Sequence, residues 1–368
     1  MKLKYMGLLN VILFSPLTQA VNIDPVDQHV AVILDLNKGN LHRKKHFIWH
    51  ELSGGEHDQY LYRTTHWVCL NRSYTIYGAC STTGTFQSPA PSVIKLIFTE
   101  KRTRKKIDLN LYAYNRPTYC GQNLILGMNS TANHWCDEGF YSKGKALTLW
   151  ITDDEIAKLP IGGIWQANLK LLQAIEDIVS GEFRNVASWS ADITLNLHDI
   201  NNITIWFPQF KTSTPRVDLQ LHTLPTPATP GGTMSGKALL DMCLYDGFNA
   251  NSSSYQVTLS DGQNISGRDS QDFSVFRDGL PDAARRKRVD YRIQLSYNGQ
   301  LHTLENNQTL TLSGINQAMI RPVKLPKIPQ AVMCVPTPLT FITPTFNQMD
   351  KESGSYSGQV RMVFTPSL

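Results

Sequence analysis

The chain has 368 residues, 41% of them apolar and 18% charged, with a net charge of +5 at neutral pH. The length exceeds what one β-type core usually absorbs, so two domains are expected. The mild charge excludes the strong, concentrated basic field of a nucleic-acid binder.

The chain opens on Lys2 and Lys4, an apolar run from Met6 to Phe14, and Thr18-Gln19-Ala20. A basic start, a short apolar stretch and a small final residue make residues 1–20 a secretory signal peptide. The apolar run is too short to span a bilayer, and no later stretch is long enough. The expectation is an exported mature chain without an anchor of its own. Export gives the six cysteines their meaning. None has the C-x-x-C spacing of a zinc or thioredoxin-like site, and an even number in an oxidising compartment points to disulfides. Locality suggests Cys69–Cys80, Cys120–Cys136 and Cys243–Cys334 among the 15 possible pairings.

Alternating apolar and polar residues then recur along the chain. They predict strands at Ile94–Thr99, Ile107–Ala113, Ala146–Ile151, Ile193–Leu197, Val217–Leu221, Tyr291–Ser296 and Gln359–Phe364. Gly, Pro, Asn and Ser separate them, and the one fair helical stretch is Asp153–Leu159. Many short strands between turn signals mean an all-β sandwich or barrel. All seven Trp fall between Trp49 and Trp206, so composition shifts midway. Two segments offer a boundary there, the Pro/Gly-rich "TLPTPATPGGTMSG" (223–236) and the polar "HDINN" (198–202). Composition leaves both open.

Several motifs invite a chemical reading and do not carry it. "GGTMSGKA" (231–238) has the glycines and Lys237 of a phosphate-binding loop, but Ala238 stands where a magnesium-holding hydroxyl belongs. A flexible loop is the better reading. His42, His46 and His50 recur every four residues, which would share a face on a helix and could bind metal there. That stretch has no cap and no apolar stripe, so a solvated basic loop is favoured. No cofactor site is expected. No G-x-S-x-G elbow, H-E-x-x-H or EF-hand loop occurs. Asp153-Asp154 at a helix start favour the helix dipole without catalysis. Basic clusters lie at 42–46, 101–106 and 284–292. They read first as solvated edges and turns, and second as attraction to sialylated or sulfated glycans. Six N-x-S/T sequons and the "RRKR" run would be processed only in a eukaryotic secretory pathway.

Longer stretches are more specific. "LYRTTHWVCL" (61–70), "YGAC" (77–80), "LIFTEKR" (96–102), "KLPIGGIWQANLKL" (158–171), "ITLNLHDINNITIWFPQF" (193–210), "RVDLQL" (216–221), "DMCLYDGFNANSSS" (241–254) and the final "GQVRMVFTPS" together resemble the tip adhesins, or minor pilins, of class 5 fimbriae. These fibres are built by the alternate chaperone–usher pathway. The resemblance spans nearly all of the mature chain; segments around 121–135, 172–190 and 262–315 match it poorly.

The resemblance implies two tandem immunoglobulin-like β-sandwich domains. These are an N-terminal adhesin domain (21–199), a linker (200–204) and a C-terminal pilin domain (205–368) that lacks its last strand. The 223–236 stretch becomes a loop inside the pilin domain. The implied function is a non-enzymatic minor subunit, exported through the periplasm and displayed at the fimbrial tip. It would bind a host-cell glycoprotein or glycolipid, with sialylated glycans as the natural class, and initiate the fibre. Its other partners would be a periplasmic chaperone, an outer-membrane usher and the N-terminal strand of the major pilin. The family binds its receptor through arginines at the far end of the adhesin domain. Arg63 in "LYRTTHWVC" matches one of them. Arg184 is the single arginine in the longer segment that replaces the others. An arginine fork suits a carboxylate. In the ending, Val360, Met362 and Phe364 form the apolar face of a strand with little sequence left to flank it, and donor-strand addition would supply the neighbour. The rival readings are a fibre initiator that binds no receptor and a secreted β-rich carbohydrate-active enzyme, whose facing carboxylates one sequence cannot reveal.

Overall fold

The computed structural model describes residues 22–120, 124–133, 136, 139–177, 179–210, 212–225 and 232–367. The expected signal peptide lies outside the described residues. The chain is all-β and folds around two hydrophobic cores.

The first core is wrapped by β1 (Gln28–Asn37), β2 (Lys45–Glu56), β3 (His66–Cys69), β4 (Ser92–Glu100), β5 (Lys106–Pro117), β6 (Leu126–Gly127), β7 (Gly144–Thr152), β8 (Gly163–Glu176) and β9 (Phe183–His198). They form one sheet in the order β1-β9-β8-β4-β5-β7-β2, with β3 beside β8 and β6 beside β5. Most of these strands contribute inward residues to one cluster, so the sheet folds over itself. β9 shows the cause. Ala187, Trp189, Ala191, Ile193, Leu195 and Leu197 are buried, while Ser188, Asp192 and Asn196 on the other face are not. A period of two puts one face in the core and one in water. Trp49 and Trp67 both pack edge-to-face on Trp189, with centroids 5.2 Å apart.

The β8–β9 hairpin pairs from Gly163 opposite Leu197 to Glu176 opposite Phe183, with one register shift between Gln173 and Ala174. At about 3.3 Å per residue it spans roughly 50 Å. Its two ends therefore lie at opposite ends of the first sheet.

The second core is built from β10 (Thr204–Trp206), β11 (His222–Leu224), β12 (Thr233–Leu240), β13 (Cys243–Tyr245), β14 (Ser254–Ser260), β15 (Asp272–Arg277), β16 (Arg288–Tyr297), β17 (Gln300–Thr303), β18 (Thr309–Ser313), β19 (Arg321–Val323), β20 (Val332–Pro336), β21 (Leu339–Asn347), β22 (Tyr356–Ser357) and β23 (Arg361–Pro366). Three sheets result: β10-β13-β20-β19; β11-β12-β21-β16-β15-β22 with β17 on β16; and β18-β14-β23. The last segment changes sheets, since β22 pairs β15 while β23 pairs β14.

The domains are packed together where β9 ends. Cys243, Tyr245, Val323, Leu325 and Ile328 of the second half join the first core. His198 stacks on Phe248 at 4.1 Å. The fully buried Glu100 carboxylate accepts from the Thr103 amide and hydroxyl and from Asn251 Nδ2. Arg102 donates to the carbonyls of Asn316 (2.6 Å) and Ala318 (2.9 Å).

The three disulfides Cys69–Cys80, Cys120–Cys136 and Cys243–Cys334 are formed, as locality suggested. Four expectations are corrected. Residues 217–221 are no regular strand. Pro215 precedes them, Asp218 caps the Gln220 amide at 2.8 Å, and Gln220 has a φ of 53°. Val217 and Leu219 still pack on the second core. The helix is only α1 (Asp153–Ile156), because the bonds Lys158 N–Glu155 O and Leu159 N–Ile156 O tighten its end before Pro160. The 223–236 stretch is neither linker nor simple loop, because β11 and β12 pair there, Thr223 opposite Met234. The flexible loop expected at 231–238 is likewise replaced from Thr233 onward by β12, with Lys237 opposite Ile342.

Candidate functional sites

At the free end of the β8–β9 hairpin, residues 57–65 form three successive turns, with Tyr60 N–His57 O, Arg63 N–Tyr60 O and Thr65 N–Tyr62 O bonds of 2.9, 3.2 and 3.1 Å. Thr64 Oγ1 donates to the Glu176 carbonyl (2.9 Å) and accepts from the Glu176 amide (3.1 Å). These two bonds pin the turn to the end of β8. Tyr62 donates to Asp24 Oδ1 at 2.6 Å. Burial first, then the Asp24 carboxylate, pushes its phenol up to about 12.

Arg63 is half-buried, and its guanidinium lies 4.5 Å from the centre of the Tyr141 ring. Its Nε is buried without a partner. Among the described residues, no carboxylate forms an ion pair with it. A cation stacked on an aromatic face and left without an anion is oriented but not neutralised. Arg184 is exposed on β9 opposite Ile175, and its charge is felt by Tyr62 and Asp177. The structure thus puts Arg63 and Arg184 at the same end, the one remote from the second domain.

Beneath this end lie two buried basic groups that sequence reasoning missed. His66 directs Nδ1 at the Thr64 carbonyl (3.0 Å), and burial lowers its pKa to about 4. Lys145 is fully buried on β7, donates to the Ser130 carbonyl at 2.7 Å, and is lowered by burial to about 7. The signal was present, since Lys145 shares parity with inward Leu147 and Leu149.

The solvated loop expected around the histidine trio is corrected, because His46 and His50 lie in β2, where a period of two replaces the helical spacing. His46 lies on β2 and pairs with Asp153 at 2.7 Å, and the same carboxylate accepts from the His42 and Lys44 amides. No group of residues able to hold a metal occurs among the described residues.

The second candidate is β23. It pairs antiparallel with β14, Phe364 opposite Val257 and Met362 opposite Leu259. Among the described residues nothing pairs with its other edge. Val360, Met362 and Phe364 are half-buried and pack against the second core, and Phe364 meets Tyr255 edge-to-face at 4.9 Å. An apolar strand open along one edge is a template for another strand.

Two family models, the first and second domains of the CFA/I fimbrial subunit CfaE, match residues 17–200 and 203–368. The chain belongs to the CfaE family of class 5 fimbrial tip adhesins. The CfaE protein of Escherichia coli is 33% identical over 316 residues, covering 84% of this chain and 82% of that protein. The crystal structure of CfaE, the adhesive subunit of CFA/I fimbria of enterotoxigenic E. coli, superposes with a TM-score of 0.80 at 28% identity, covering 95% and 94% of the two chains. A chaperone–tip adhesin complex of CFA/I fimbriae matches with a TM-score of 0.63 at 27% identity, covering 95% and 98%. These CfaE relatives are adhesins rather than enzymes.

Proposed function

We propose that this chain is the tip subunit of a fimbria, binding an acidic host glycan at one end and joined to the next subunit at the other. The observation that carries the reading is the polarity of the molecule. Arg63 and Arg184 occupy the end of the β8–β9 hairpin farthest from the second domain, and the second domain holds the open β23 edge. Residues 200–204, just after β9, are the join between adhesin and pilin domains; a 3-10 turn, Ile200–Asn202, fills its first three positions and Thr204 already opens β10. The Arg63 guanidinium would take a sugar carboxylate through paired charge-assisted hydrogen bonds, with Arg184 as the second cation. The edge of Val360, Met362 and Phe364 would take a chaperone strand in the periplasm, then the N-terminal strand of the major pilin after passage through the usher.

The test is Arg63→Ala in assembled fimbriae. Loss of cell binding at normal fibre number is expected. Unchanged binding would leave only the rival role of an initiator that binds no receptor.

A further inference from the structure

Beside Arg63 lie two tyrosines that the arginine reading does not use, and a third, Tyr119, is linked to them through Lys143. Tyr60 meets Tyr141 edge-on at 6.0 Å, and Tyr141 underlies the Arg63 guanidinium. Two residues along the chain from Tyr141, Lys143 lies 5.1 Å from the centre of the Tyr119 ring and pairs with Asp58 at 2.5 Å. Backbone bonds from the His57 amide to the Lys143 carbonyl (3.1 Å) and from the Thr118 amide to the Gly144 carbonyl (2.9 Å) draw the three segments together.

Two features set these tyrosines apart from packing residues. Tyr119 is 56% exposed even though the Lys143 ammonium lies over its ring, so much of the side chain is open to solvent. Tyr60 and Tyr119 also have φ of 63° and 52°. A bulky side chain in the left-handed region is a steric outlier, and such outliers gather at ligand clamps. The chemistry of the group is that of sugar recognition. A hexose has an apolar C–H face that lies on an aromatic ring, and a rim of hydroxyls that pairs with a carboxylate or an ammonium.

We propose that Tyr119, flanked by Lys143 and Asp58, forms a second subsite that takes the neutral hexose next to the acidic sugar held at Arg63. Tyr141 is a positioning residue, holding the guanidinium at its stacking distance between the two sugars. The proposal rests on the acidic-glycan reading above, and it makes the receptor an oligosaccharide rather than a single acidic sugar.

The test uses the full mature chain with a donor strand fused after Leu368, and two probes: the methyl glycoside of sialic acid, and sialyllactose. Tyr119→Ala should weaken sialyllactose binding about two- to tenfold and leave the methyl glycoside unchanged. Tyr119→Phe should keep both, and Lys143→Ala should lose part of the sialyllactose affinity alone. Arg63→Ala should lose both. If Tyr119→Ala and Lys143→Ala bind sialyllactose as the parent does while Arg63→Ala loses both probes, the subsite is refuted and the arginine reading stands. If Arg63→Ala changes neither, or the parent binds neither, the acidic-sugar reading falls and takes the subsite with it.

Discussion

Lys145 shows how much one residue can set. Its amino group is fully buried and donates to the Ser130 carbonyl. Asn115 Nδ2 donates to the same carbonyl and to those of Gly127 and Met128. Together the two side chains hold the 127–130 turn. Burial disfavours the charged amine, which lowers its pKa from 10.5 to about 7. Between those values the unfolded chain binds the proton and the folded one does not. Stability from this group is therefore present above pH 10.5 and is lost as pH falls toward 7. His66 behaves alike at lower pH. With a folded pKa of about 4, its contribution is lost as pH falls from 6.5 toward 4. Lys145→Met in the donor-strand-complemented chain should flatten the melting profile between pH 6 and pH 9, gaining most on the parent at pH 6. Parallel melting curves for parent and variant at every pH would show that the amine does not titrate in this way. The parity of Lys145 was readable in the sequence, but whether a lysine at an inward position bends out to water or stays dry depends on the neighbouring strands.

At the scale of elements, strand positions were the most legible feature. Alternation located β4, β5, β9 and β16, because a half-buried strand must alternate, and it located β7 although both faces of that strand are buried. It failed at 217–221, where an Asx turn and a left-handed Gln220 override the apolar pattern. It also missed how the 223–236 stretch pairs, since proline and glycine content signals a turn without saying that the flanks form a hairpin. The disulfide Cys243–Cys334 ties β13 to β20 across 91 residues. Closing so long a loop restricts the unfolded chain most, so replacing both cysteines with serine should cost about 4–5 kcal/mol. The 11-residue Cys69–Cys80 loop should be worth about 3 kcal/mol by the same relation. Urea unfolding of the complemented chain, with each pair replaced in turn, measures both; equal losses would contradict the loop-entropy account.

For the whole molecule, the open β23 edge is the decisive element. An apolar strand with one free edge invites uncontrolled pairing. The isolated mature chain should therefore aggregate or melt early, and fusing the major pilin's N-terminal segment after Leu368 should yield a soluble monomer. Size-exclusion chromatography of the two forms decides this, and a stable, monomeric, unfused chain would refute donor-strand completion. The sequence by itself determined the all-β class and the family, and it suggested the disulfide pairing and, through the family resemblance, the ends at which to look, because these follow from short-range alternation, spacing and long motifs. Only the tertiary structure decided that Arg63 stacks on Tyr141, that Arg184 shares its end, that Lys145 is dry, and that Arg102 reaches across to Asn316 and Ala318. Each of these contacts joins residues tens to hundreds of positions apart, and no local pattern encodes such a distance.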